Sequence, residues 1–382
     1  MINVPPHPFK FSEIDEADPF IVNALKKHRH FDPCWCGSGK KYKKCHMNRE
    51  QEKSFTIGKI KRLQRDVFWK KRGCMHPQSS KAACGGKVID SHTIQRKGPL
   101  SRIVDDSGHV MHFELSTGGT GLSAQSIGWR KASTFPGYCS HHDSELFSPI
   151  EKTTFDGGHK QCVLHAFRNL CNEIYRKQAL IESLEFQKNV LDRGKNLDRQ
   201  IEIQYSCNKN IKGQRKSLEE SKSLRANFEK AIVGRNYEAL ESRCYFFEGE
   251  ISVVSSSVFQ CEYDFQGNKL VDMWDLSIDA ELLSHSIVNT EKGGVIVFVW
   301  QKDGNQANAV IESFEKIPDD EKGDIFVQYC FVNAENTYFS ALWWASLPAY
   351  LKAQISGYAG ALYYEGGAFV ANKPRLVDWK FI

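Results

Sequence analysis

The sequence predicts an α+β protein: small N-terminal modules held together by clustered cysteines and histidines, then a helical hairpin, then a C-terminal α+β domain. Three observations carry this prediction. Cysteine and histidine gather in two clusters before residue 150, residues 160–240 have the pattern of two long helices with charged faces, and β-rich runs alternate with shorter helical pieces from residue 241 onward. With 382 residues, 41% hydrophobic and 12% aromatic, the chain has enough apolar surface for two or three cores and is not a disordered tail.

Lys and Arg number 51 against 46 Asp and Glu, a net charge of +5. The distribution matters more than the total: thirteen cations face three acids between Lys40 and Arg72, whereas the region after residue 240 leans acidic. Positive potential is therefore concentrated near the N-terminus. No stretch approaches the roughly 20 apolar residues of a membrane-spanning helix, and no export signal is visible at the start. The expectation is a soluble, cytoplasmic protein with no membrane partner. In a reducing compartment, its 12 cysteines read as metal ligands where clustered and as small core residues where dispersed.

Residues 1–49 comprise a proline-rich arm, a short helix FIVNALKKH, and the string DPCWCGSGKKYKKCH. One residue separates Cys34 from Cys36, and eight separate Cys36 from the Cys45–His46 pair. Thiolate and imidazole donors suit tetrahedral zinc, a C-x-C turn offers two sulfurs to one ion, and the glycines let the chain fold back. Cys34, Cys36, Cys45 and His46 together fill the shell, so this zinc is structural and leaves no position open for catalysis. Lys40, Lys41, Lys43 and Lys44 keep the thiolates ionised and leave a positive face. The string resembles the SEC-C motif, named for the carboxy-terminus of the preprotein translocase ATPase, over residues 31–47. The resemblance implies zinc and a docking role, but no reaction.

Residues 50–72 place Ile57, Ile60, Leu63, Val67 and Phe68 at helical spacing among basic residues, which predicts a basic amphipathic helix. Its polar face serves equally well as a solvated surface or as a nucleic-acid contact.

Residues 73–155 carry the second constellation: Cys74, Cys84, Cys139 and His142. The runs KVID and HVMHFEL, separated by DDSG, predict a hairpin, followed by a glycine-rich loop, STGGTGLSAQSIG, that lacks P-loop spacing. Two ligands before a hairpin and two at the start of a helix, SHHDSELFSPIE, form a treble-clef arrangement and predict a second structural zinc. His76 is an alternative ligand, and His141 an alternative to His142. The whole stretch resembles an HNH or treble-clef nuclease module. That resemblance implies His92 as general base, with Asp90 or Asp143 as ligands of a catalytic Mg²⁺ or Mn²⁺. The bland alternative is a purely structural zinc site in which His92 hydrogen-bonds to a carbonyl.

Residues 156–240 predict an antiparallel helical hairpin joined around YSCNKNIKG, with Cys162, Cys171 and His165 buried and Arg168 paired to Glu173 or another partner. Residues 241–382 predict the α+β domain. The aromatic stretch ENTYFSALWWASL has no interleaved Lys or Arg and so belongs to packing, and Cys207, Cys244, Cys261 and Cys330 are dispersed core residues.

Two functions follow. The first is a metal-dependent, HNH-like endonuclease whose basic region holds the phosphate backbone of DNA or RNA, similar in make-up to bacterial antiviral defence or stress effectors. The alternative is a non-catalytic zinc-containing adaptor that docks on nucleic acid or protein, with the C-terminal domain as a platform for a protein partner. Oligomerisation through the helical pair is left open.

Overall fold

The computed structural model describes residues 15, 17–79, 84–115, 122–273, 275–364 and 374–382. The proline-rich arm at 1–14 and the start of the glycine-rich loop lie outside them. In chain order the elements are α1 (Pro19–Leu25), α2 (Ile57–Phe68), β1 (Val88–His92), α3 (Ser101–Ile103), β2 (His109–Leu115), β3 (Leu122–Gly128), β4 (Thr134–Cys139), α4 (Ser140–Glu151), α5 (His159–Val190), α6 (Leu197–Gly234), β5 (Leu240–Glu248), β6 (Val253–Gln260), β7 (Leu282–Asn289), β8 (Gly293–Gln301), α7 (Asn305–Glu315), α8 (Asp319–Asn333), β9 (Thr337–Phe339), α9 (Ala341–Ser346), α10 (Ala349–Tyr364) and β10 (Lys380–Phe381). The mixture is that of an α+β protein. Among the described residues, no helix is long and apolar enough to cross a membrane. The chain divides into two compact units: residues up to Lys70 with Arg176–Lys216, and Lys71–Tyr175 with Ser217–Ile382.

In the first unit, α1 begins where Asp18 accepts a hydrogen bond from the Phe20 amide and Pro19 takes the first helical position. Its buried face, Ile21 and Ala24, packs with Trp35, Ile201 and Tyr205. The basic helix expected over 50–72 forms as α2, capped by Thr56. Phe68 is its one fully buried side chain.

The two long helices turn back on each other, with Lys188 Nζ donating to Asn208 Oδ1 at 2.6 Å and Arg215 meeting Glu185 at 2.6 Å. Their junction differs from the expectation: YSCNKNIKG lies inside α6, and the turn falls at residues 191–196. The physical reason is local. Gly194 adopts φ +67°, and a Cβ there would sit 2.8 Å from the Glu52 carbonyl oxygen, so only glycine fits. Asn196 then caps α6 by accepting from the Arg199 amide. YSCNKNIKG offers no comparable stop signal.

The second unit is built on an eight-stranded sheet in the order β10-β5-β8-β7-β6-β9-β2-β3, with every neighbouring pair antiparallel. Strands β7 and β8 are buried along almost their whole length, as strands covered on both faces must be. On one face, Phe298 meets Phe314 of α7 and Phe326 of α8. On the other, Asn169 of α5 donates to Ser284 Oγ, the His285 carbonyl and Ser286 Oγ. Phe339 and Trp343 are buried in the same core, and the Trp343 indole donates to the Leu376 carbonyl, in line with a packing role for the aromatic stretch.

One expectation fails here. KVID and HVMHFEL do not pair with each other: β1 pairs with β4, bringing Val88 opposite Cys139 and His92 opposite Thr134, while β2 and β3 join the large sheet. The residues between the two segments of the small β1–β4 sheet thus contribute an edge to the large one. Turn residues such as DDSG mark where a chain reverses but not which strand it meets.

Candidate metal centres

The first centre is assembled by a tight local fold. The Cys34 amide donates to the Lys40 carbonyl at 2.8 Å, and Pro33 bridges to Lys41. Gly37 and Gly39, both at positive φ, turn the chain between them. A single turn over Tyr42–Lys44 then delivers Cys45 and His46. The His46 Nδ1 lies 3.2 Å from both Cys34 Sγ and Cys45 Sγ, and Cys36 Sγ lies 3.6 Å from Cys45 Sγ. All four donor atoms fall within 4.8 Å of one another. Edges of about 3.5–3.8 Å are what a tetrahedron with Zn–S near 2.3 Å and Zn–N near 2.0 Å requires. The soft donor set fits zinc, and its four members leave no open position.

Behind these ligands stands a second layer that no local pattern announces. His46 Nε2 is 2.8 Å from Asp192 Oδ2, across a sequence separation of 146 residues. Asp192 is itself held by Arg49, whose Nε and Nη2 donate to Oδ1 at 2.8 and 2.6 Å, and by Gln204 Nε2 at 2.7 Å. Burial disfavours the imidazolium, but the hydrogen bonds to Asp192 and to the Cys36 and Cys45 sulfurs, with the Cys36 charge, together outweigh it and lift His46 to about 11. With a metal on Nδ1, the bond to Asp192 keeps the Nε2 proton in place, the arrangement of a carboxylate–histidine–zinc triad. Trp35, 2% exposed, lies under the centre against the rings of His46 and Phe20.

The second centre brings Cys74, Cys84, Cys139 and His142 within 4.8 Å of one another. Cys74 Sγ lies 3.3 Å from His142 Nδ1, and the Met75 amide donates to the Gly137 carbonyl, tying the ligand loop to β4. Cys139 ends β4 and is also the N-cap of α4, its sulfur accepting from the His142 amide at 3.5 Å. The four donors again suit a closed zinc site. His76 is not among them: its ring stacks on His142 at 4.2 Å. Of the adjacent histidines, His142 is buried and turned to the sulfurs. His141 is exposed beside Glu145, 3.4 Å away, in a further group made of His141, His142 and Glu145.

Of the residues expected to be catalytic, His92 and Asp143 face the same two charges, those of Arg168 and Glu151. His92 stands at the end of β1, hydrogen-bonded through its ring to the Trp129 backbone, and burial lowers its pKa. Its Nε2 is buried without a hydrogen-bond partner. Asp143 lies in the first turn of α4, its pKa raised by burial against the opposing pull of Arg168, whose guanidinium is 3.9 Å away. Asp90 is exposed. Among the described residues, no group of three or more metal-ligating side chains includes His92, Asp90 or Asp143. Arg168 finds its partner in Glu151 at 2.7 Å and lies over the Phe147 ring.

The SEC-C motif model matches residues 32–48, which span the first centre and nothing of the second. No curated protein and no solved structure matches the chain.

Proposed function

We propose that this chain is a zinc-organised nucleic-acid-binding protein whose first metal centre presents a cationic, aromatic contact surface to a single strand. The observation that carries the reading is Phe31. This ring is 64% exposed, where burial would normally claim it, and Lys43 and Lys41 place their ammonium groups 4.0 and 5.3 Å from its centroid. An exposed ring flanked by cations is what base stacking and phosphate contact need together. Lys40, Lys44, Lys53 and Lys59 are exposed in the same unit, so the surface suits a polyanion.

Fluorescence anisotropy with labelled single-stranded DNA and RNA tests this. Phe31→Ala is expected to weaken binding about ten-fold or more through lost stacking, and Lys43→Ala to lower the salt slope by about 1. Absence of binding at low salt by the zinc-loaded protein would refute the reading.

A second reading, the HNH-like endonuclease, is favoured by one observation: His92 ends a strand that pairs with β4, which leads into α4 beside a four-ligand centre. A free Nε2 on a ring oriented by a carbonyl is the disposition of a general base. This reading calls for Mg²⁺ or Mn²⁺ and carries with it the role of a defence or stress effector. Plasmid and RNA cleavage by wild type but not by His92→Ala would support it; equal cleavage, or none, would leave binding alone.

A further inference from the structure

We propose that Cys162 and Cys244 form a peroxide-sensitive disulfide, a modification site separate from both metal centres. Cys162 lies in the first turn of α5 and is fully buried, while Cys244 lies in β5 and is partly exposed. Their sulfurs are 3.6 Å apart. A disulfide requires about 2.05 Å, so the sulfurs must close by about 1.5 Å. Rotation about the side-chain torsions can supply a movement of that size.

The surroundings argue for a thiol pair and against a third metal centre. Among the described residues, the groups of three or more metal-ligating side chains lie elsewhere. The nearby His159 is engaged by Ser242 Oγ at 3.4 Å and by Glu238 at 3.4 Å. The two thiols are also unequal. Their contact, together with burial, pushes the Cys162 thiol up, while the contact pulls Cys244 down. Peroxide reaches the partly exposed Cys244 sulfur first, and the buried Cys162 sulfur, 3.6 Å away, is placed to resolve it.

The chemistry balances with hydrogen peroxide as the oxidant. The Cys244 thiolate attacks one peroxide oxygen, the O–O bond breaks, hydroxide leaves, and Cys244 becomes a sulfenic acid. The Cys162 sulfur then attacks the Cys244 sulfur, the S–O bond breaks, and water leaves. Two thiols lose two electrons and two protons, peroxide is reduced to water, and a dithiol reductant reverses the change. The resulting bond fastens the start of α5 to the large sheet.

The full-length, zinc-loaded protein is titrated with hydrogen peroxide, quenched in acid, alkylated with iodoacetamide under denaturing conditions, and digested without reductant for mass spectrometry. The expected result is that the Cys162 peptide linked to the Cys244 peptide is the first cross-link to appear. It is lost in Cys244→Ser and removed by dithiothreitol. In Cys162→Ala, which lacks the resolving thiol, dimedone should label Cys244 several-fold more than in wild type. The proposal is overturned if both thiols remain alkylatable at peroxide concentrations that already release zinc to a chromogenic chelator, or if dimedone fails to label Cys244 in the Cys162→Ala protein.

Discussion

Asp192 decides more than any other single carboxylate in the first unit. Burial alone would raise its pKa, but the hydrogen bonds from His46 and Arg49 prevail and hold it low, so it stays ionised. It then fixes which nitrogen of His46 faces the cysteines. Asp192→Asn is expected to lower zinc affinity at this centre by about 10–100-fold, measured by competition with a chromogenic chelator in a Cys84→Ser background that silences the second centre. Equal zinc retention with and without the Asp192→Asn substitution would show that the contact does not tune the metal. The ligands Cys34, Cys36, Cys45 and His46 are legible in the sequence because they share one short turn. Asp192 is not: a lone acid in a helix junction carries no local mark of a partner 146 residues away.

Elements show a similar divide. Helix α4 follows the string SHHDSELFSPIE residue for residue, because Cys139 both ends a strand and caps the helix. Helix α5 is different in kind. Its Asn169 Nδ2 shares two hydrogens among three acceptors on β7 at 2.9–3.0 Å, and Ser256 Oγ donates to Asn169 Oδ1 at 2.6 Å. Asn169→Ala strands these buried groups and is expected to cost about 2–3 kcal/mol in urea unfolding; a loss under about 0.5 kcal/mol would mean that the serines re-pair among themselves. Periodicity predicts that α5 exists, but serine-rich SVVSSSVFQ and LLSHSIVN do not advertise a helix amide as their partner. The pairing of β1 with β4 is hidden for the same reason, since strand identity is set by a contact across more than forty residues of intervening chain.

At the scale of the molecule, metal content and acid response can be forecast. Two closed donor sets predict about two zinc ions per chain by elemental analysis. A single zinc ion would remove the second centre.

The buried histidines set a pH dependence. Burial brings His285 down to about 3, and burial together with the Arg168 charge brings His165 there as well, against an ordinary value of 6.5. Below about pH 6.5 the unfolded chain takes up protons that the folded chain refuses, so their stabilising contribution is complete above that pH and is lost as pH falls toward 3. Each histidine contributes a slope of about 1.4 kcal/mol per pH unit. Between about pH 6 and 4, wild type should therefore lose stability more steeply than His285→Gln by about that slope. Parallel curves would mean that His285 is protonated in the fold.

The order of residues is enough to specify the α+β class, the first set of four ligands, the three cysteines of the second, the basic amphipathic helix and the packing role of the late aromatic stretch. Each of these is written in spacing, in composition, or in donor types that suit only one kind of partner. Folding in three dimensions adds the rest: the choice of His142 over His76 and His141 is made by the fold, β2 and β3 belong to the large sheet, Asp192 backs His46, His92 and Asp143 come to face the same Arg168 and Glu151 charges, and Cys162 meets Cys244. Those outcomes depend on contacts between segments far apart in the chain, which are selected by the burial of whole faces and by the satisfaction of buried polar groups.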